Sequence, residues 1–251
     1  MKKDLFLTKN LIAHRGVHYE YLENSLKAFR EAMYKGYIIE LDIHLTKDKK
    51  IIVFHDYNLK RLTGILKNIE ELTYKEIIKI IKVPTIEEVL NLVKGRVPII
   101  IETKIKDKVG PLESKLSNIL DNYKGDFAIQ SFNSKSIAWF NKNRRNYIKG
   151  YLINSIIEHN IITSIILNRK LKKLNIDYIG INLDYLKNKK IIKLRNKYLI
   201  IGYTINNELE YNKYIDYADN LICNIKKIPY YKELNNQNKE TDPLRTVSQK
   251  E

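Results

Sequence analysis

Short β-branched runs alternate with longer helical patterns along this chain, and that alternation restricts its fold more than any other feature. Nine segments have the composition of strands: 11–14, 37–45, 50–55, 97–104, 126–131, 147–153, 178–183, 198–205 and 220–223. Helical patterns lie between most of them; residues 85–93, for example, carry apolar side chains at helical spacing. Strands separated by helices pair in parallel, so the pattern predicts an α/β fold with a parallel sheet.

The chain length allows one large α/β barrel or two small domains, and no interior linker argues for a second domain. A chain of 251 residues is long enough for a (β/α)8 TIM barrel, which needs eight strands rather than nine. The segments 37–45 and 50–55 are joined only by the short stretch TKDKK, whereas a parallel crossover needs about a dozen residues. We therefore expect eight barrel strands, with 50–55 folding back as a short β-hairpin extension after strand 2. The barrel domain is expected to span 1–234, and the polar segment 235–251 is expected to be disordered.

The net charge of +16 raises the question of a nucleic-acid or membrane partner. The lysines are scattered among Ile, Asn and Tyr rather than gathered in one stripe, so we predict no nucleic-acid partner and at most a weak attraction to a membrane surface. No stretch of the sequence approaches the ~18 consecutive apolar residues of a transmembrane span. Polar residues near the N-terminus interrupt the apolar segment that a signal peptide would need. The single cysteine, Cys223, excludes an internal disulfide framework. We therefore expect a cytoplasmic protein.

Polar side chains interrupt two of the strand segments at regular spacing. Glu40, Asp42 and His44 occupy alternate positions and therefore share one face of the second strand. Glu102 and Lys104 share a face at the end of a later strand. In a barrel, the apolar faces would pack on helices and these polar faces would point inward, near the C-terminal mouth where such barrels hold active sites.

Two histidines and an arginine stand at neighbouring strand ends. His14 and Arg15 follow the first strand, and His55 ends the hairpin strand. Histidines can supply a proton donor and a proton acceptor near neutral pH. Arg15 offers a planar fork for a phosphate group, to which Lys104 would add a second cation.

Three carboxylates at one mouth would repel one another. Glu40, Asp42 and Glu102 would be stabilised by a cation, and oxygen ligands suit a hard divalent ion such as Mg²⁺ or Ca²⁺. Such an ion keeps positions open for water or a substrate oxygen. Together with two histidines and two cationic side chains, the set favours phosphodiester cleavage over acyl transfer or redox chemistry.

Eight short motifs, spread over about residues 11–230, resemble the glycerophosphodiester phosphodiesterase family. They are HRG (14–16), LENS (22–25), GYIIELDIHLTKD (36–48), VFHD (53–56), PTIEEVL (84–90), IETK (101–104), QSFN (130–133) and GYTIN (202–206). Each motif is short, but the ordered set is specific. Three places depart from the family pattern: Leu22 replaces a proline, Lys49 replaces a common turn glycine, and Cys223-Asn224 replaces a Thr-Asp pair.

The resemblance implies a barrel enzyme that hydrolyses glycerophosphodiesters to sn-glycerol 3-phosphate and an alcohol with one divalent ion (Mg²⁺ or Ca²⁺, or else Mn²⁺). By motif it implies these roles: Glu40, Asp42 and Glu102 as metal ligands, His14 and His55 as the acid/base pair, and Arg15 and Lys104 as phosphate-binding groups. Four further residues are open to two interpretations each. Glu23 would cap a helix or support the site, and His44 would make a supporting hydrogen bond or contact the substrate. Gln130 would line the mouth or only pack, and Tyr203 would form an apolar wall for a head group or only pack. Asn24 could also cap the helix that follows.

Two other functions fit the same residues. The first keeps the chemistry but takes lysophospholipids, as a lysophospholipase D does, or other lipid phosphodiesters; the positive surface motivates it. The second is a catalytically inactive barrel that binds lipid or nucleic acid, which the complete set of acidic and histidine positions disfavours.

Overall fold

Eight parallel strands form a closed barrel in the computed structural model, which describes residues 5–106, 108–154 and 161–226. Together with one antiparallel strand, β3, the described residues contain nine strands: β1 (Ile12–Ala13), β2 (Ile38–Leu45), β3 (Ile51–Val53), β4 (Ile99–Thr103), β5 (Phe127–Ser131), β6 (Ile148–Ile153), β7 (Tyr178–Asn182), β8 (Leu199–Ile205) and β9 (Asn220–Cys223). β1 pairs in parallel with both β2 and β9, which closes the barrel. The predicted (β/α)8 barrel is confirmed. The predicted domain end at 234 and the tail 235–251 lie outside the described residues.

The ninth strand, β3, lies outside the barrel. It pairs antiparallel with the C-terminal half of β2, with Val53 opposite Ile43, while β2 also pairs in parallel with β4. The hairpin predicted from the short connection is therefore confirmed. Its turn places Lys49 in the left-handed region at a φ of 63°, the position where the family commonly has glycine.

Ten helices lie within the described residues. They are α1 (Leu26–Tyr34), α2 (Lys60–Thr63), α3 (Tyr74–Ile78), α4 (Ile86–Val93), α5 (Pro111–Leu120), α6 (Ser134–Asn143), α7 (Ile161–Leu174), α8 (Leu183–Leu186), α9 (Lys189–Leu194) and α10 (Glu208–Tyr214). α4 begins with the predicted capping box, in which Thr85 and Glu88 satisfy each other's backbone N–H groups. α1 begins at Leu26, directly after Ser25, whose Oγ accepts a hydrogen bond from Ala28 N, so Ser25 and not Asn24 caps this helix.

The alternation of side chains along the strands separates two apolar layers. Ile39, Leu41 and Ile43 face outward and pack with the residues of the surrounding helices, as predicted. The other face of the strands places Ile12, Ile38 and further apolar side chains in the barrel interior. Each fully buried aliphatic side chain contributes about 1.5–3 kcal/mol to folding, and these contacts fix the register that carries the polar residues to the mouth.

Within the described part of the chain, no helix combines the length and the apolar character needed to cross a bilayer.

Candidate active site

The C-terminal ends of the barrel strands bring the predicted polar side chains into one cavity of about 210 Å³. Its lining includes all seven residues to which the motifs assign a principal role: His14, Arg15, Glu40, Asp42, His55, Glu102 and Lys104. Gln130 and Tyr203 line it as well. Glu23 and His44 contact lining residues from behind, through Arg15 and His55 respectively.

Three buried carboxylates form the floor of this cavity. Glu40, Asp42 and Glu102 each place an oxygen within 4.8 Å of the other two, and none is more than 6% exposed. The register of β2 and β4 sets Asp42 directly beside Glu102. A compact group of oxygen ligands in this geometry fits a hard divalent cation.

Burial and mutual repulsion act on the pKa values of these carboxylates, because both disfavour the ionised forms. Burial raises the pKa of Glu40 well above its usual value, and the charges of Asp42 and Glu102 add to the rise. Burial also raises the pKa of Glu102, to about 7, against the opposing charge of Lys104. Burial acts on Asp42 in the same direction, but Lys104, His55 and Arg15 hold its pKa below the usual range. A divalent cation in this group would favour the ionised form of all three.

Two cationic side chains lie against the carboxylates. Lys104 Nζ is 3.0 Å from Asp42 Oδ1 and 2.5 Å from Glu102 Oε1. Burial opposes the charge of Lys104, yet these two carboxylates raise its pKa above the usual value, so it is protonated at neutral pH. Arg15 Nε lies 3.5 Å from Asp42 Oδ2, and the Arg15 backbone N–H donates to Glu40 Oε2 at 3.1 Å.

The HRG segment owes its shape to close packing on α1. Gly16 has a φ of 78°, and a Cβ there would lie 2.8 Å from the backbone carbon of Ala28. Only glycine fits such a position without displacing the helix. Arg15 also has a positive φ, 52°, and this turn directs its backbone N–H to Glu40.

Asn24 contributes to the site although the sequence suggested only a cap. Its Nδ2 donates to Asp42 Oδ2 at 2.9 Å, and its Oδ1 accepts from Asp42 N at 3.3 Å. Asn24 is 3% exposed and has a φ of 54°. It therefore orients the central carboxylate. The LENS motif was the available signal, but local spacing could not show which strand Asn24 would meet.

A chain of charged groups runs from His55 to Arg15 across the mouth. His55 Nδ1–H donates to Asp56 Oδ1 at 2.7 Å, and Asp56 Oδ2 accepts from Arg61 Nε at 2.6 Å. Arg61 also binds both oxygens of Glu23, whose Oε1 accepts from Arg15 at 3.0 Å. These contacts favour the supporting role for Glu23 over a helix cap. Arg61, which lies on α2 beyond the strand pattern, was not among the predicted residues.

The two candidate catalytic histidines differ in their surroundings. Burial, with the nearby charge of Arg15, lowers the pKa of His14 well below its usual value, and its Nδ1 has no hydrogen-bond partner among the described residues. Burial also lowers the pKa of His55, while Asp42 and the bond to Asp56 oppose that change. The hydrogen bond to Asp56 fixes the Nδ1–H tautomer of His55 and leaves Nε2 for the cavity.

His44 supports His55 from behind the cavity. Its Nε2–H donates to the backbone oxygen of His55 at 3.1 Å, and its ring meets the edge of Tyr57 with centroids 5.2 Å apart. Burial lowers the pKa of His44 to about 4, so this side chain is neutral at physiological pH. These contacts hold the hairpin strand in place.

Gln130 and Tyr203 have distinct positions in the wall. Gln130 Nε2 donates to Glu40 Oε1 at 3.3 Å, and its Oε1 accepts from Tyr178 OH at 3.1 Å. Gln130 thus orients a carboxylate. Tyr203 OH donates to Ile153 O at 2.8 Å, while its ring packs edge-on against Phe132, which is 42% exposed at the mouth.

The Cys223-Asn224 pair, where this chain departs from the family pattern, lies at the end of β9 behind the cavity wall. Ile222 lines the cavity, whereas the next side chain, Cys223, is buried at 2% exposure among the outer apolar residues. Burial raises the pKa of its thiol, which keeps Cys223 in the neutral form. Asn224 N donates to Ile205 O and continues the pairing of β8 with β9.

Comparison with known proteins agrees with the motifs. The glycerophosphoryl diester phosphodiesterase family matches residues 14–223. A lysophospholipase D of Mus musculus is 33% identical over 62% of this chain and 52% of its own length. A glycerophosphodiester phosphodiesterase of Bacillus subtilis is 28% identical over 82% of this chain and 80% of its own length. The chain spans about half the length of the mammalian relatives it matches.

Solved structures share the barrel. The glycerophosphodiester phosphodiesterase of Thermotoga maritima superposes with a TM-score of 0.73 at 26% identity, covering 85% of this chain and 93% of that one. A phosphodiesterase of Oleispira antarctica, solved with sn-glycerol 3-phosphate, gives 0.76 at 19% identity and covers 86% and 92%. The family match extends over most of the barrel and includes the site residues from His14 to Tyr203. The chain belongs to the glycerophosphoryl diester phosphodiesterase family.

Proposed function

We propose that this protein hydrolyses glycerophosphodiesters to sn-glycerol 3-phosphate and an alcohol. The observation that carries the proposal is the single cavity in which three buried carboxylates meet two histidines and two cations. Membership of the family supports the same reaction. The names of the bacterial relatives, which are glycerophosphodiester phosphodiesterases, agree with it.

Glu40, Asp42 and Glu102 would hold one divalent cation, either Mg²⁺ or Ca²⁺, or else Mn²⁺. When bound, the cation supplies positive charge to a phosphoryl oxygen. Asn24 and Gln130 keep two of these carboxylates oriented through their hydrogen bonds. Arg15 and Lys104 would then bind the remaining phosphate oxygens, because both cations already lie at the edge of the carboxylate group.

His14 and His55 would carry the protons. His14, neutral and half-buried, takes the proton of the glycerol 2-hydroxyl as its oxygen forms a bond to phosphorus. His55 donates its proton to the alcohol oxygen as the bond from that oxygen to phosphorus breaks. Water then opens the cyclic phosphate with the two roles reversed, which regenerates both histidines. The sum is one water consumed for each diester cleaved.

The test is release of sn-glycerol 3-phosphate from a panel of glycerophosphodiesters with Mg²⁺, Ca²⁺ or Mn²⁺. We expect activity in the unmodified chain and a loss of at least about 10²-fold in Glu40→Gln and His14→Ala. Glu87→Gln, an exposed carboxylate on α4, is the matched control and should retain full activity. If no glycerophosphodiester is cleaved with any of the three metals, the proposal is wrong.

A second candidate reaction is lysophospholipid cleavage. Phe132 lines the cavity and remains 42% exposed, so it offers an apolar surface beside the mouth, and the mammalian relatives carry the name lysophospholipase D. Phe132→Ala should then reduce cleavage of lysophosphatidylglycerol more than cleavage of glycerophosphoglycerol. Equal reduction of the two rates would contradict the role of Phe132, and no cleavage of lysophosphatidylglycerol by the unmodified chain would leave only the first reaction.

A further inference from the structure

The cavity that holds the three carboxylates and the two histidines is called the catalytic cavity below. A second, open cavity of about 560 Å³ adjoins it on the side of His55. Asp56, Tyr57, Asn58, Lys60 and Arg61 line it, and it shares His55 and Lys104 with the catalytic cavity. A substrate that places its phosphate near Lys104 can therefore extend directly from one cavity into the other. His55 stands at the junction of the two.

The two cavities differ in size, and this difference suits them to different halves of a diester, the glycerol phosphate and the alcohol. The catalytic cavity of about 210 Å³ would hold the phosphate and the glycerol, which are common to all glycerophosphodiesters. The alcohol differs among substrates and needs the wider, solvent-open space. This orientation also places the leaving oxygen beside His55. In this orientation the open cavity would hold the alcohol, and it is called the alcohol subsite below; the assignment rests on the proposed function.

The anionic groups around this subsite already have partners. Asp56 accepts from His55 on Oδ1 and from Arg61 on Oδ2. Glu23 accepts from Arg61 on both oxygens. Arg61 is therefore balanced by two carboxylates, and neither carboxylate has an oxygen without a donor.

One face of the Tyr57 ring, which borders the subsite and a neighbouring cavity, is also in use. Lys106 Nζ lies 4.6 Å from the centroid of the Tyr57 ring, which is the geometry of a cation–π contact. Lys60 is exposed at the same rim. A quaternary ammonium group is bound by aromatic faces or by carboxylates, and here the protein's own cations engage the two carboxylates and one face of the Tyr57 ring.

We propose that this subsite selects glycerophosphodiesters with neutral polyhydroxyl or anionic alcohols over those with choline or another quaternary ammonium. Asn58 and Lys60 offer hydrogen-bond donors for hydroxyl or anionic groups, whereas Lys60 and Lys106 repel a cation. The preference arises from charge near the surface, so it weakens as salt increases.

The experiment compares kcat/KM of the full chain for glycerophosphoglycerol and glycerophosphocholine at one saturating metal concentration. We expect the ratio to favour glycerophosphoglycerol by about tenfold at low salt and to fall in 0.5 M NaCl, as expected for partly exposed charges. Lys60→Glu and Lys106→Glu should each lower the ratio about threefold or more. Lys142→Glu on α6, an equal change of net charge at an exposed lysine, should leave the ratio unchanged.

The possible results of this experiment distinguish failure of the subsite proposal from failure of the proposed function. Cleavage of both substrates at equal rates, or a preference for choline, overturns the subsite and leaves the proposed function intact. The subsite also fails if Lys60→Glu and Lys106→Glu behave like Lys142→Glu. Absence of cleavage of every substrate overturns both proposals. Lys60→Gln and Lys106→Gln should lower the ratio in the same direction but less than the glutamate variants. This graded response would distinguish an effect of charge from a loss of folding.

Discussion

Arg61 donates two hydrogen bonds to Glu23, from Nη1 at 2.9 Å and from Nη2 at 2.5 Å. The two residues come from the loop after β1 and from the helix after β3, so this contact joins the segments that carry the two candidate catalytic histidines. The remaining guanidinium nitrogen, Nε, binds Asp56, the partner of His55. Among the described residues, Arg61 therefore connects to His55 and Arg15 through the side chains of Asp56 and Glu23.

Arg61→Gln is expected to lower kcat about ten- to hundredfold with little change in KM, because Asp56 and His55 would lose their fixed orientation. The steady-state kinetics of the full chain check this. Arg61→Lys should restore only part of the rate, since lysine cannot bind Glu23 with a planar fork. Arg144→Gln, which removes a comparable exposed ion pair with Asp121, is the control. Equal kinetics in the two glutamine variants would contradict the positioning role.

The ion pairs of Arg61 also predict how stability depends on pH. Burial opposes the charges of Glu23 and Asp56, but their hydrogen bonds to Arg61, and the bond of Asp56 to His55, lower both pKa values below the usual 4.5 and 3.8. The folded state thus binds fewer protons than the unfolded state, and the stabilisation is present above these usual values. It is lost as the pH falls through the lowered pKa values of the folded protein.

Urea unfolding of the unmodified chain and of Arg61→Gln between pH 2.5 and 7 tests that dependence. We expect the variant to be less stable by about 0.5–1 kcal/mol near neutral pH, a modest effect because the Arg61 side chain is 45% exposed. The difference should shrink on acidification. A difference that stays constant over this range would contradict the electrostatic explanation.

The two histidines should respond differently to a better leaving group. A glycerophosphodiester of p-nitrophenol needs little proton donation, so His55→Ala should recover most of its lost activity on this substrate. His14→Ala should remain impaired by at least about 10²-fold, because the attacking hydroxyl still needs a base. Rates on this ester and on glycerophosphoglycerol measure both variants. The reverse pattern would exchange the two roles.

Metal binding can be measured without activity. At a metal concentration near 100 times Kd, the folded state should gain about 2.7 kcal/mol, which corresponds to a rise in Tm of about 5–10 °C for a chain of this size. Thermal melts with EDTA and with added Mg²⁺, Ca²⁺ or Mn²⁺ check the change. Asp42→Asn should lose the metal-dependent rise, and Glu87→Gln should keep it. An equal rise in Asp42→Asn would place the cation elsewhere.

Lys49→Gly should stabilise the hairpin. The left-handed backbone at a φ of 63° costs a residue with a side chain about 1–2 kcal/mol, whereas glycine adopts it freely but has more freedom in the unfolded state. The net gain is about 0.5 kcal/mol, measured by urea unfolding. Lys47→Gly, at an exposed lysine of the same turn, should be neutral or destabilising. A loss of stability in Lys49→Gly would mean that Lys49 makes a favourable contact that outweighs its strain.

Local patterns in the sequence were enough to predict the barrel and the cluster of three carboxylates. Alternation along a strand is a local property, so the positions of Glu40 and Asp42 already specify a shared inward face, and a short connection already requires β3 to run antiparallel. Glu102 could be added because parallel strands end at the same edge of a barrel.

The contacts of Asn24 and Arg61 became visible only in the folded chain. Both residues act across long separations in sequence, Asn24 on Asp42 and Arg61 on Glu23. Their partners depend on a left-handed backbone position and on the path of two loops. Side-chain periodicity contains no information about either, because loops follow the packing of the whole barrel rather than a local repeat.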